Sequence, residues 1–373
     1  MNKVSKVCIK KVTNMPINRV IYDIFKKIDV IDWIKNSKKV LIKPNFACSI
    51  STEKGVTTDL RIITNIIKIL NVIGIDDIIV GESSIMETHK VFQDLGIYEL
   101  EKLGAKVVNF DNDRWVTVES TTKLLLDKFK IPKSVFTSDL IIDVPKMKTH
   151  GSTMLTLGLK NFFGILKSSE RAKYHFLGLD NAIVDVFSYL VMNKKIISIV
   201  DAIHALEGPF GPTKGRVVDM NLIIGGNDVV ATDYVCSILM GCNPKKVRHL
   251  AISKRLKLGN DIKNTELFGE HPKNLIRKFN LPSYHLSYFY RYIKRMPYVR
   301  PERCNLCRRC VQVCPKNAIT ISRKFNHHNK QIKFDYSKCF SCLTCCEVCN
   351  YGALDYKLTF PFSLIQRTLR HDI

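Results

Sequence analysis

The residues best suited to chemistry are eight cysteines in the last fifth of the chain. They form two runs with the spacing Cys-x-x-Cys-x-x-Cys-x-x-x-Cys, and the second run repeats the first 35 positions later, from 304 to 339. Three thiolates at this spacing can hold one face of an iron–sulfur cube, and the fourth thiolate must come from elsewhere. The runs are Cys304, Cys307, Cys310 and Cys314, and Cys339, Cys342, Cys345 and Cys349.

This internal duplication resembles the bacterial ferredoxins that hold two [4Fe–4S] clusters, over about residues 297–357. In that pattern the fourth cysteine of each run serves the cluster of the other run. The resemblance therefore implies two [4Fe–4S] clusters as cofactors, with ligands from both runs in each. One predicted ligand set is Cys304, Cys307, Cys310 and Cys349, and the other is Cys339, Cys342, Cys345 and Cys314.

Details around the cysteines leave alternatives open. Pro315 follows the first run as the pattern requires, whereas Asn350 replaces the second proline. Cys346 is an extra thiol, expected to be buried beside the ligands, or to become a ligand if Cys345 is displaced. Zinc also binds paired Cys-x-x-Cys motifs but does not need the triple spacing twice. Disulfides are a third interpretation, which the lack of a signal peptide disfavours.

The charge of the chain predicts an anionic partner. Its 58 Lys and Arg against 34 Asp and Glu give a net charge of +24 over 373 residues. Nucleic acid, an anionic membrane surface and acidic proteins or substrates all fit such a charge, as does a merely solvated lysine-rich surface. No compact basic run or known binding module is visible, so nucleic acid is the least expected partner.

Two absences bear on location. No apolar core follows Met1 in the manner of a signal peptide. No uninterrupted apolar run approaches the roughly 18–20 residues that a membrane span needs. We therefore expect a cytoplasmic protein without a transmembrane segment.

The elements that must position these residues alternate between short apolar strands and helical periodicity over about 200 residues. This alternation predicts an α/β fold with a mostly parallel sheet and helices on both faces. A small α+β ferredoxin-like two-cluster domain follows it. The expected division is 1–261 for the α/β domain, 262–296 for a linker, 297–357 for the cysteine domain and 358–373 for a tail.

Polar side chains stand where the predicted strands end. In open α/β sheets ligands bind outside the carboxyl ends of parallel strands, so we expect these groups to meet at one edge. Lys43, Asn45, Glu82 and Asn161 are the candidates for binding a cofactor. Asp201, Asn227 and Asp228 follow later strands and are expected at the same edge.

The segment 146–150 carries the most specific pattern at this edge. In an extended segment, residues i, i+2 and i+4 share a face, which would align Lys146, Lys148 and His150. Two ammonium groups and an imidazole form a site for a carboxylate or a phosphate. Lys160 in the following helix would extend it, so these four are the candidate catalytic residues. The plain alternative is a solvated basic loop.

Several motifs resemble one uncharacterised family. They are Lys43-Pro44-Asn45, Lys146-x-Lys148-Thr149-His150, Leu159-Lys160-Asn161-x-x-Gly164, and Asp201-Ala-Ile followed by Glu207-Gly208-Pro209. Together they resemble the domain of unknown function 362 family over about residues 38–240. That resemblance implies the same architecture, in which a ferredoxin-type module commonly follows the first domain, and it does not name a reaction.

The sequence supports three functions. The first is an iron–sulfur oxidoreductase whose clusters relay electrons to or from a small anionic substrate or cofactor in the α/β domain. The second is an electron-transfer adaptor that docks on a redox partner protein. The third, binding of nucleic acid, ranks last. The aromatic–basic stretch 284–300 predicts a linker helix, with peripheral membrane contact as the alternative.

Overall fold

The computed structural model describes residues 4–13, 15–209, 212–282, 295–314, 316–323, 330–339, 341–349 and 351–358. The chain divides into two compact units. The first comprises Met1–Ser168 and Gly178–Pro282, and the second Ser169–Leu177 and Ser283–Ile373. Most of the stretch 284–300 and the tail beyond 358 lie outside the described residues. Within the described residues, no helix is long and apolar enough to cross a bilayer.

The first unit contains twelve described strands. They are β1 (Ser5–Lys11), β2 (Lys39–Pro44), β3 (Asp77–Glu82), β4 (Ala105–Asn109), β5 (Trp115–Glu119), β6 (Lys128–Pro132), β7 (Leu140–Val144), β8 (Lys146–His150), β9 (Met154–Thr156), β10 (Lys195–Glu207), β11 (Arg216–Gly226) and β12 (Thr265–Gly269). Ten of them form one sheet with the order β12-β1-β11-β10-β7-β2-β3-β4, in which β8 pairs with β10 and β9 with β8. Strands β5 and β6 form a separate hairpin.

The centre of this sheet is parallel. Strands β10, β7, β2, β3 and β4 run in the same direction, with Lys43 beside Asp143 and Asp143 beside Ser198. Strand β11 runs antiparallel to both β1 and β10. The prediction of a mostly parallel α/β sheet is confirmed, with β11 as a reversed strand within it.

Helices connect and cover these strands. Helix α3 (Leu60–Ile73) begins after Asp59, whose carboxylate accepts a hydrogen bond from the Arg61 N–H, and ends at Gly74 with φ 96°. The helices of the first unit are α1 (Ile17–Lys27), α2 (Ile31–Lys35), α3 (Leu60–Ile73), α4 (Thr88–Asp94), α5 (Lys133–Thr137), α6 (Gly158–Asn161), α8 (Leu179–Asn193), α9 (Val229–Leu239) and α10 (Arg248–Arg255). Helix α7 (Ser168–Leu177) belongs, except for its first residue, to the second unit.

Two consecutive glycines show that the sheet is covered on both faces. A Cβ at Gly225 would stand 2.2 Å from Ile24 of α1, and a Cβ at Gly226 would stand 2.1 Å from Thr232 of α9. Successive residues of a strand point to opposite faces, so α1 and α9 cover opposite sides of β11. Any larger residue at either position would push one helix away from the sheet.

Some predicted helices take a different form. Apolar residues recur at helical spacing over 155–166 and favour one helix there, but the structure has β9, then α6, then a 3-10 turn over Phe162–Ile165. The spacing over 91–103 also favours one helix, which the structure divides at Gly96, with φ 69°. Hairpin β5–β6 was not predicted, because its few alternating residues carry little periodicity.

The second unit repeats itself. Its elements are β13 (Arg295–Val299), α11 (Arg309–Gln312), β14 (Ile319–Arg323), β15 (Lys330–Phe334), α12 (Thr344–Glu347) and β16 (Leu354–Leu358), so each of the last three begins 35 positions after its counterpart. Strand β13 pairs with β16, and β14 pairs with β15, both antiparallel. Each strand pair therefore takes one strand from each half of the duplication.

Candidate functional site

The ends of β2 and β3 meet in a buried ion pair. Lys43 Nζ donates to Glu82 Oε2 over 2.8 Å, and the two side chains are 0% and 4% exposed. Glu82 also accepts hydrogen bonds from the Phe46 and Ser83 N–H groups, at 3.1 and 2.9 Å. These contacts satisfy both carboxylate oxygens, so the pair holds the two strand ends in one geometry.

A second buried pair joins β8 to β10. Lys146 Nζ donates to Asp201 Oδ2 over 2.8 Å, and both side chains are 0% exposed. Asp201 also accepts from the Asp59 N–H at 2.8 Å and from the Ile203 N–H at 3.1 Å. Asp201 therefore connects three segments, and the charge of Lys146 is compensated within the protein.

Lys148 differs from these two lysines. Its Nζ donates to Asn45 Oδ1 over 2.9 Å and to the Val56 carbonyl over 2.8 Å, and both acceptors are neutral. No carboxylate of the described residues forms an ion pair with it. An ammonium carries three N–H bonds, so one is left for another acceptor. Burial lowers the pKa of Lys148 from 10.5 to about 8.

Asn161 links this lysine to a buried carboxyl group. Asn45 Nδ2 donates to Asn161 Oδ1 over 3.0 Å, and Asn161 Nδ2 donates to Asp143 Oδ1 over 2.7 Å. The other oxygen, Asp143 Oδ2, has no hydrogen-bond partner among the described residues. Complete burial raises the pKa of Asp143 well above 3.8. We call Lys43, Asn45, Glu82, Asp143, Lys146, Lys148, Asn161 and Asp201 the lysine network.

A second buried carboxyl group lies against α6, the short helix that carries Asn161. Asp233 of α9 accepts from the Gly158 and Leu159 N–H groups, each at 2.9 Å, and burial raises its pKa to about 7. A Cβ at Gly158 would stand 2.9 Å from Asp143 Oδ2 and 3.2 Å from Asp233 Oδ1. Neither aspartate was predicted as a site residue. The sequence offers a signal for Asp143 alone, because it is the one charged residue in the otherwise apolar strand β7.

The other two candidate catalytic residues lie differently. His150 Nδ1 accepts from the Ser152 and Thr153 N–H groups, at 3.1 and 3.3 Å, in the turn after β8. Lys160 is half-buried, with Nζ 5.5 Å from the centre of the Phe163 ring. Its charge contributes to lowering the pKa of Lys148. The alternative of a solvated loop is wrong, because β8 is a fully buried strand.

Asn227 and Asp228 require a correction. We expected them at the same edge, but β11 is antiparallel, so its carboxyl end points the other way. Asn227 Oδ1 accepts from the Lys6 N–H at 2.8 Å, and Asp228 Oδ2 accepts from Ser5 Oγ at 2.7 Å. Both residues therefore hold the start of β1 and take no part in the lysine network.

The cysteine runs come together in the second unit. Cys304, Cys307, Cys310 and Cys349 line one cavity, which is partly open to solvent. Three of these thiols belong to the first run and one to the second. Burial, with the neighbouring sulfurs of Cys307, Cys304 and Cys349, raises the pKa of Cys310 to about 11.

The duplication extends to the hydrogen bonds on sulfur. Cys314 Sγ accepts from the Ala318 N–H and Cys349 Sγ from the Ala353 N–H, both at 3.2 Å. Residues 306, 308 and 317 have φ between 48° and 64°, as have 341, 343 and 352 in the second half, at 60° to 64°. The two halves thus fold their cysteine loops in the same way.

The second run is also compact. Its thiol Cys345 is buried, and a hydrogen bond with Cys346 together with burial raises its pKa well above the usual range. The sulfurs of Cys342 and Cys339 add to that effect. Cys346 stands where the first half has Val311, and it is half-buried rather than buried as expected.

The lining of this cavity fits a [4Fe–4S] cluster. Its four cysteines come from both runs and supply the four thiolates that such a cluster needs, one for each iron. Four thiolates also suit a tetrahedral zinc ion, but zinc does not require the triple Cys-x-x-Cys spacing that both runs share.

Comparisons with solved structures give weak similarity. A lactate racemase apoprotein from Thermoanaerobacterium thermosaccharolyticum is 12% identical, over 63% of this chain and 57% of that one, with a TM-score of 0.39. A protein from Thermotoga maritima is 16% identical, over 54% and 51%, with a TM-score of 0.33. This chain thus spans little more than half the length of either structure.

Sequence comparisons are more informative. A thylakoid-associated protein of Synechocystis sp. is 25% identical over 252 residues, which are 66% of this chain and 76% of the relative. The profile of a 4Fe-4S dicluster domain matches residues 303–353, so this is an iron–sulfur protein with an electron-transfer module. The profile described as domain of unknown function (DUF362) matches residues 40–237, more than half of the chain. The chain therefore belongs to the DUF362 family, with a 4Fe-4S dicluster domain in its carboxyl-terminal part.

Proposed function

We propose that this protein is an iron–sulfur oxidoreductase in which two [4Fe–4S] clusters relay electrons to or from a small anionic substrate or cofactor held by the α/β domain. The observation that carries the redox part is the cavity lined by four thiols from both runs. In this proposal Cys349 completes the first ligand set. By the symmetry of the duplication, Cys314 completes the set of Cys339, Cys342 and Cys345.

The clusters, when bound, supply one-electron chemistry. The chain contributes ligands and their surroundings: backbone N–H groups donate to the sulfurs of Cys314 and Cys349. Such hydrogen bonds stabilise thiolate charge and are among the factors that tune the potential of a cluster. Iron content per chain tests this part, because two clusters bring about eight irons.

Lys148 supports the anionic nature of the substrate. A buried ammonium without a carboxylate partner is costly, and an incoming carboxylate or phosphate would both pair its charge and take its remaining N–H. Lys160 adds positive charge nearby. Asn45 accepts from Lys148 and donates to Asn161, so these two amides hold the position of the ammonium group. Cofactor binding by Lys43, Glu82, Asn45 and Asn161 stays a prediction. The participation of Lys146 and His150 in the reaction stays a prediction.

The experiment is re-oxidation of the anaerobically purified, dithionite-reduced protein by small carboxylates, phosphates and phosphorylated cofactors. We expect at least one acceptor to re-oxidise the clusters faster than buffer does, and Lys148→Met to slow that acceptor at unchanged iron content. Lys35→Met, at an exposed lysine of α2, is the matched control. Failure of every acceptor would contradict the proposal.

A second function is favoured by a specific observation. Lys43 and Lys146 are fully buried and already paired with Glu82 and Asp201, as expected of a structural network. The alternative is thus a non-catalytic adaptor that passes electrons to a cytoplasmic redox partner protein. Co-purification with such an enzyme, together with re-oxidation that is the same in Lys148→Met and the original protein, would favour the adaptor.

A further inference from the structure

The two candidate cluster sites can be compared position by position, because the cysteines and the secondary-structure elements of the two halves recur 35 residues apart. The first cavity is lined by Arg308 and Arg309, and the matching positions 35 residues later are Leu343 and Thr344. Leu343 is 9% exposed, whereas Arg308 is exposed. The backbone is alike at these positions, with φ 64° at Arg308 and 60° at Leu343. The halves thus differ in charge and exposure rather than in fold.

The difference extends to the thiols. Cys307 is the one cysteine classed as exposed among the described cysteines, whereas its counterpart Cys342 is half-buried. Electron transfer between proteins is favoured where a redox centre comes near the surface. The site that contains Cys307 is therefore the better placed of the two for exchange with another molecule.

The arginines at this site are uncompensated. No residue lining the cavity is acidic, and within the described part of the chain no carboxylate forms an ion pair with Arg308 or Arg309. The surrounding segment is also basic, since residues 297–357 hold eleven Lys or Arg against four Asp or Glu, a net charge of +7. We call Arg308, Arg309 and the exposed edge of Cys307 the arginine rim.

We propose that the arginine rim is the docking surface for an acidic electron-carrier protein, which exchanges one electron with the cluster held by Cys304, Cys307, Cys310 and Cys349. In that step the carrier's redox centre loses or gains one electron, the cluster undergoes the opposite change, and no proton or atom moves. The inference rests on the proposed function, because it requires that a cluster is bound. Rim charges of this kind steer encounter and raise the association rate.

The same two guanidinium groups act on the cluster itself. Positive charge beside a cluster stabilises its more negative, reduced state and raises its potential. Since Leu343 and Thr344 stand in their place in the other half, the two clusters should differ in potential, with the higher value at the arginine rim.

The test compares a charge reversal at the rim with an equal reversal elsewhere on the second unit. Arg308→Glu/Arg309→Glu is the test variant, and Lys333→Glu/Lys357→Glu, at exposed positions outside the cavity, is the matched control. The probe is a small acidic plant-type [2Fe–2S] ferredoxin. Stopped-flow mixing measures electron exchange across a range of salt concentrations, and redox titration measures both cluster potentials.

We expect the rim variant to exchange electrons about tenfold or more slowly at low salt, with a weaker salt dependence, and the control to change little. One potential should fall in the rim variant and the other should stay constant. Equal slowing in both variants would overturn the inference, as would loss of binding to phosphatidylserine vesicles with unchanged electron exchange.

The failures are distinguishable. If the purified protein holds no iron–sulfur cluster, the proposed function fails; if it holds clusters and the rim variant behaves as the control does, only the docking inference fails. Should the charge reversal reduce the iron content, Arg308→Gln/Arg309→Gln is the second variant, with the same expected direction and a smaller effect.

Discussion

The lysine network and the cysteine runs of the second unit differ in how their charged groups are paired and exposed to solvent. In the lysine network, Lys43 and Lys146 are paired with carboxylates at 2.8 Å and are closed off from water. In the second unit, the thiols of the first run and Cys349 line a cavity partly open to solvent, and Arg308 and Arg309 at its edge have no carboxylate partner among the described residues. The comparison indicates that the paired lysines of the first region hold a geometry, whereas the thiols of the second region line a cavity that can accept a cofactor.

The largest expected effect tests how the two cysteine runs are shared. Cys349→Ser should remove the cluster that depends on the first run, so iron content should fall from about eight to about four per chain. Iron analysis and electron paramagnetic resonance measure the change. The matched control is Cys346→Val, which restores the residue type of Val311 and should leave iron content unchanged. A fall to about four irons per chain in Cys346→Val would mean that this thiol is a ligand of the second cluster.

The buried pair of the lysine network gives the next largest effect. Asp201→Ala removes the carboxylate partner of buried Lys146, which keeps only its hydrogen bond to Thr52, and leaves two backbone N–H groups without their acceptor. We expect a loss of about 3–5 kcal/mol in the free energy of unfolding. Chemical denaturation of the protein, followed by the far-ultraviolet circular dichroism of its helices, measures this loss. A loss below about 1 kcal/mol would show that the pair contributes no more than an exposed one.

The buried carboxyl groups predict a pH dependence. Burial raises the pKa of Asp233 from 3.8 to about 7. As the pH rises, the unfolded chain therefore loses this proton at a lower pH than the folded chain does. The stabilising contribution of Asp233 is therefore present below about pH 3.8 and is lost as the pH rises towards 7. Asp233→Asn keeps an acceptor oxygen and should flatten the decline of stability across this window. Denaturation at a series of pH values measures it, and identical pH profiles would contradict the raised pKa.

The smallest expected effect comes from an exposed ion pair beside the network. Arg61 pairs with Asp59 over 2.6 Å, but its side chain is 62% exposed. Arg61→Ala should cost less than about 1 kcal/mol, measured by the same denaturation as Asp201→Ala. A cost comparable with that of Asp201→Ala would remove the distinction between buried and exposed pairs.

Much of the site could be predicted because its residues follow strands in a regular way. Lys43 and Glu82 stand at the ends of β2 and β3, Lys146 follows the end of β7, and the parallel centre of the sheet brings these strand ends to one edge, as expected. Asn227 and Asp228 also follow a strand, but no local pattern indicates whether that strand is parallel. The error there was one of strand direction, which only long-range pairing determines.

The sequence alone determined that two equal sets of thiols exist and that an α/β sheet precedes them, because spacing and periodicity are local properties of a chain. Only the tertiary structure decided which lysines are paired. Lys146 and Lys148 are two residues apart, yet one meets Asp201 and the other meets Asn45. Those partners come from distant strands and loops, and electrostatic compensation depends on distances of a few ångströms that no spacing along the chain encodes.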